Sequence, residues 1–119
     1  EQEPGILVVR MDDQLFFGNA SFFKEEITEL VNTNEEPLSA LFIDAKSIKS
    51  IDSSAAHTLQ ELYAWLNRKG VELYICAAIG PVRDMLHRSG LHELIGKDNH
   101  FTFLDDAVEH HKDKVLFET

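Results

Sequence analysis

A chain of 119 residues is long enough for one hydrophobic core and too short for two. Its hydrophobic fraction of 44% and charged fraction of 27% are ordinary for a globular protein and do not suggest disorder. The formal net charge of -10 argues against nucleic acid or anionic lipid as a partner, because both are gripped by clustered Lys and Arg. The apolar runs at 6–9 and 75–79 fall far short of the ~20 residues of a membrane helix. A single cysteine, Cys76, cannot form an internal disulfide and reads as a small core residue. The chain opens at Glu1 without an initiator Met, which reads as a piece cut from something longer.

Taken in order, the β-branched run at 5–11 behind Pro4 reads as a strand covered on both faces. Asp12 and Asp13 turn the chain, and Leu15, Phe16 and Phe17 form a short second strand paired back on the first and ended by Gly18 and Asn19. Phe22, Phe23, Ile27, Leu30 and Val31 recur at helical spacing with Lys24, Glu25, Glu26 and Glu29 between them, so a helix follows. The polar segment 32–37 closes it.

The stretch at 41–66 is the centre of the chain. Leu41, Phe42 and Ile43 form a buried strand that stops at Asp44; a polar connector follows, and Asp52, Ser53 and Ser54 open an amphipathic helix. All three are good N-cap types, since their side-chain oxygens accept from the N–H groups left unpaired in a first helical turn. Ala55, Leu59, Leu62 and Leu66 form its inward face, and Lys69 and Gly70 stop it. The next strand, 71–78, alternates Val71, Leu73 and Ile75 against Glu72, Tyr74 and Cys76, which predicts one more polar face. Gly80 and Pro81 start a helix that turns Val82, Met85 and Leu86 inward and ends at Ser89 and Gly90. Phe101 to Phe103 is a short extended piece, and Asp105 and Asp106 begin a terminal helix through Ala107, Val108 and Val115.

This order predicts a single α/β domain over 1–119, with a mixed, mostly parallel sheet, an opening hairpin and about four helices. Partners of such sheets meet the loops at the carboxyl ends of the strands. Asp44, Asp52, Ser53, Ser54, Ala55 and Gly80 belong to that edge and make the candidate contact loop.

The segments LFFGNASFFKEEI, LFIDAKSIKSIDSSAAHTL, VELYICAAIGPVRDMLHRSGL and FTFLDDAV together resemble the STAS domain at the cytoplasmic C-terminus of SulP-family anion transporters. The aromatic segment around Phe16 and Phe17 points to the transporter branch, while the Asp-Ser core is shared with the anti-sigma-factor antagonists. The resemblance implies a non-catalytic domain joined to the transmembrane part of a sulfate or related anion transporter, at the cytoplasmic face of the inner (plasma) membrane. Its roles would be folding, trafficking or regulation, with a second copy or a cytosolic protein as further partner. In the antagonist branch a kinase phosphorylates the serine after the Asp, which corresponds to Ser53. The alternative is therefore a stand-alone antagonist switched at Ser53. Nucleotide binding has been suggested for the family, but no Walker-type glycine loop exists in this sequence, and no cofactor is expected.

Other side chains read more plainly. His110 and His111 are adjacent and point about a hundred degrees apart on a helix. His87 and His92 straddle the stop at Gly90, and no Cys or carboxylate joins them at zinc-site spacing, so no metal is expected. A hydrolase would need Ser53 or Ser54 with His57 as base, but helix-start serines are normally occupied in capping. Phe16, Phe17 and Phe22 are the candidate interface aromatics, because core packing does not use a whole aromatic cluster on an edge strand and helix start. Arg83 reads as a helix-surface charge.

Overall fold

The β-branched run after Gly5 forms β1 (Ile6–Arg10), which lies parallel to β3 (Ala40–Asp44); β3 in turn lies parallel to β5 (Glu72–Cys76). A two-residue strand, β6 (His100–Phe101), completes a four-stranded sheet in the order β1-β3-β5-β6. Short β2 (Asp13–Leu15) and β4 (Ile48–Ile51) pair in parallel with each other. The helices are α1 (Phe17–Thr33), α2 (Ser53–Arg68), α3 (Gly80–Arg88), α4 (Leu91–Ile95) and α5 (Leu104–Glu118). The computed structural model describes residues 5–11, 13–15 and 17–118, and among them no helix is long and apolar enough to cross a membrane.

Strand side chains alternate between faces, so the register decides what each face buries. Leu7, Leu41 and Leu73 align in one row, and Val9, Ile43 and Ile75 in the next. These rows join Phe23 and Ile27 of α1, Leu59, Leu62 and Leu66 of α2, Val82 and Leu86 of α3, and Leu91 and Ile95 of α4 in a single aliphatic core. Each large side chain removed from water there contributes about 1.5–3 kcal/mol.

The opposite face is covered by one helix. Ala40, Phe42, Tyr74 and Cys76 pack there against Ala107 of α5, with Leu104 and Val108 at the margin. Phe42 and Tyr74 stack with ring centroids 4.7 Å apart. A directed chain of hydrogen bonds then ties α5 down. Tyr74 O–H donates to His111 Nδ1 (2.9 Å), His111 Nε2–H donates to Ser39 Oγ (2.9 Å), and Ser39 O–H donates to the Gly5 carbonyl (3.0 Å). That assignment holds for a neutral imidazole: because Ser39 donates to Gly5, His111 Nε2 is the donor and Nδ1 the acceptor. Lys114 adds a 2.7 Å ion pair to Glu72.

The α/β class, the parallel crossovers and the amphipathic α2 agree with the sequence. Five details do not. Among the described residues β2 pairs with β4 and not with β1, so the opening segment crosses over instead of turning back as a hairpin. Its partner lies in the supposed polar connector, where Ile48 and Ile51 are buried on a strand too short to show periodicity. Gly18 and Asn19 lie in the first turn of α1 and do not end a strand; glycine is tolerated there because early N–H groups lack helical partners in any case. β5 has no polar face at its centre, since Tyr74 and Cys76 are fully buried beneath α5. On α1, Phe23 and Ile27 turn inward, whereas Phe22 and Leu30 face outward.

Candidate functional site

The carboxyl edge of the sheet is built by three chain reversals. Asp44 ends β3 and its Oδ1 accepts from the backbone N–H of Lys46 (3.1 Å), which fixes the tight turn into β4. Asp52 follows β4 and is the N-cap of α2: its backbone is extended, and Oδ1 accepts from Ala55 N–H at 2.7 Å. The Asp52 carbonyl accepts from Ala56 N–H at 3.0 Å, so both ends of this residue are committed to the helix start. After β5, Ala77 adopts φ 62, donates its N–H to the Phe101 carbonyl at 2.8 Å, and sends the chain to Ile79, the N-cap of α3.

This division of labour answers what the sequence left open among the three cap types. Asp52 does the capping, and the Ser53 and Ser54 side chains stand exposed in the first turn of α2. Their hydroxyls therefore sit at the positive end of a sixteen-residue helix, where added negative charge is favourable. Ala55 is fully buried and presents no side chain to a partner. Gly80, at the start of α3, is half-buried, and its neighbour Ile79 is 40% exposed. Asp44 thus lies at the carboxyl end of β3 and Gly80 follows that of the neighbouring parallel strand β5, and Asp52, Ser53 and Ser54 follow that of β4. His57 is engaged away from the serines: its Nε2 lies 3.4 Å from Glu61 Oε2, and Glu61 also holds Lys24 at 3.0 Å. Arg83 donates to the Ala78 carbonyl at 2.7 Å, bracing the turn before α3.

A second surface lies along α1. Phe22 is 60% exposed and Leu30 46% exposed, and with Val9, Met11, Phe23 and Ile27 they border a groove of about 400 Å³ that also meets Arg10, Asn19 and Glu26. Phe22 is thus an accessible aromatic. Phe16 and the Phe17 side chain lie outside the described residues. Leu30 was missed as a surface residue because helical periodicity assigns a whole stripe to the core, whereas α2 covers only part of that stripe.

Titratable groups around the sheet are shifted by their surroundings. Burial, reinforced by the Asp44 charge, pushes the Cys76 thiol up to about 12, so it remains protonated. Burial and the neighbouring His92 push His100 down to about 4. Burial also raises Glu72, yet hydrogen bonds from Lys114 and Asn99 outweigh it and leave this carboxyl below its usual range.

The STAS domain family model matches residues 1–107. High affinity sulfate transporter 2 of Stylosanthes hamata is 34% identical over 116 residues, spanning 91% of this chain and 18% of its own. The chain therefore corresponds to under a fifth of that curated relative. The STAS domain of a SulP transporter from Vibrio cholerae superposes with a TM-score of 0.80 at 19% identity, covering 97% of this chain and 87% of that one. A candidate anti-sigma factor antagonist from Thermotoga maritima superposes with a TM-score of 0.70 at 18% identity, covering 87% and 86%. The sheet order, the capped helix after β4 and the family match agree: this chain belongs to the STAS domain family.

Proposed function

We propose that this chain is the regulatory and assembly domain of a SulP-type sulfate or related anion transporter, held at the cytoplasmic face of the inner (plasma) membrane. The transmembrane domain of the same polypeptide is its first partner, and it acts by contact without catalysing a reaction. The observation that carries this reading is the correspondence of the chain to an 18% segment of a sulfate transporter. The exposed Phe22 and Leu30 groove on α1 supports it, because an apolar strip of this kind fits a neighbouring protein surface better than water. Immunoblotting of fractionated source cells tests it. A band much larger than the domain, confined to the membrane fraction, is expected; a band of the domain's own size in the cytosol overturns the reading.

The second reading is a stand-alone antagonist switched by phosphorylation of Ser53, which would add up to two negative charges at the α2 start. The exposed hydroxyl one residue after the capping Asp52, in a fold shared with the Thermotoga protein, favours it. Incubation with ATP and a kinase that binds the domain decides the matter: phosphate on Ser53 that releases the kinase supports the switch, and a bound kinase that leaves Ser53 unmodified sinks it.

A further inference from the structure

α3 and α4 meet at a sharp turn. Gly90 makes it, with φ 82, a left-handed conformation that side-chain-bearing residues rarely adopt. The turn folds His92 back over His87, so that their rings lie face to face with centroids 4.1 Å apart. His100 of β6 stacks on the far side of His92 at 4.2 Å, and its Nε2 lies 3.3 Å from the His92 backbone carbonyl. Glu93 comes to the same place: ligand atoms of His87, His92 and Glu93 all lie within 4.8 Å of one another. Sequence spacing concealed this group, because the turn at Gly90 brings its two halves together.

We propose that His87, His92 and Glu93 form a binding site for a divalent transition metal of the zinc and nickel class. Two imidazoles and one carboxylate are a donor set that such ions accept, and neither calcium nor magnesium favours nitrogen ligands. A tetrahedral ion with bonds of about 2.0–2.1 Å needs ligand atoms about 3.4 Å apart. The 4.8 Å group closes to that spacing by side-chain rotation, since His87 and Glu93 are exposed and His92 is half-buried. His100 backs His92 and limits its ring position, the supporting role that outer partners play around metal-binding histidines. Arg83 lines a hollow together with His87, His92 and His100, but its guanidinium donates to the Ala78 carbonyl. With three protein donors, water completes the coordination, and the ion pins α4 to α3.

The test is calorimetric titration of the tag-free 119-residue chain with zinc chloride and nickel chloride near neutral pH. One saturable equivalent is expected, accompanied by a rise in Tm. His92→Ala and Glu93→Gln should each weaken binding by about tenfold or more and abolish the Tm rise, while His57→Ala leaves both unchanged. Both altered residues of the first pair lie at or near the surface, and circular dichroism confirms that each variant is folded. Imidazole NMR signals of His87 and His92 should shift on addition of zinc. Absence of saturable binding overturns the proposal, as does binding that persists in a His87→Ala, His92→Ala double variant or shifts only His57 and His110.

Discussion

The two faces of the parallel sheet are held by different kinds of interaction. One carries four helices on a continuous aliphatic core. Among the described residues the other carries α5 alone, over two stacked aromatic rings and a relay of hydrogen bonds through His111. Aliphatic packing is non-directional and spreads its contribution over many residues, whereas a hydrogen-bond relay concentrates position in a few atoms. The first face should therefore set global stability, and the second should set where one helix sits.

The strongest test of that contrast is Leu62→Ala in the thick face. Leu62 is fully buried, so the change should cost about 2–5 kcal/mol and shift urea unfolding by all probes together. On the thin face, Tyr74→Phe removes the hydroxyl that reaches His111 and should cost about 0.5–1.5 kcal/mol. Its effect should be local. Cys76 lies under α5 with its thiol pushed up to about 12, so native protein should resist iodoacetamide at pH 8, and Tyr74→Phe should speed labelling by more than its global destabilisation explains. Equal changes in labelling and global unfolding would mean that α5 does not open separately. Asp52→Ala removes the α2 cap and should cost about 1 kcal/mol, visible as a lower Tm.

A further effect is confined to one pH window. His100 binds its proton less readily in the folded chain than the ordinary value near 6.5, at about 4. Between those values the unfolded chain takes up the proton first, so this group's contribution is fully present above about 6.5 and is lost as pH falls toward 4. Urea midpoints measured across that interval should fall more steeply in the parent chain than in His100→Gln. Parallel slopes would show that another group governs acid sensitivity.

The thick face was largely legible in the sequence and the thin face was not. Ala55, Leu59, Leu62 and Leu66 declare α2 by their spacing, and Asp52 declares its start, because both are local patterns within a few turns. Tyr74 and His111 are joined only by the fold, 37 residues apart, and alternation put Tyr74 on the more polar face of its strand. β2 and β4 escaped for a related reason: strands of three and four residues carry too few alternations to reveal a partner. At the candidate edge, residue types were enough to place Asp52 and Ser53 at the start of α2, but not to show that Ala55 is enclosed; elsewhere, they did not show that Glu93 lies near two histidines.

The strand order has a consequence for a chain made from its amino end. In β1-β3-β5-β6 each later strand joins the outer edge of the one before it, and none must insert between two strands already paired. The sheet can therefore lengthen sideways in the order in which its strands leave the ribosome. The opening strand waits for β3, because its register is set only when residues 40–44 are available. Until α5 emerges, Phe42, Tyr74 and Cys76 have no cover. Within this domain α5 is thus the segment that closes the last open apolar surface, and a nascent domain stalled before it would present that surface to chaperones or to other copies of itself.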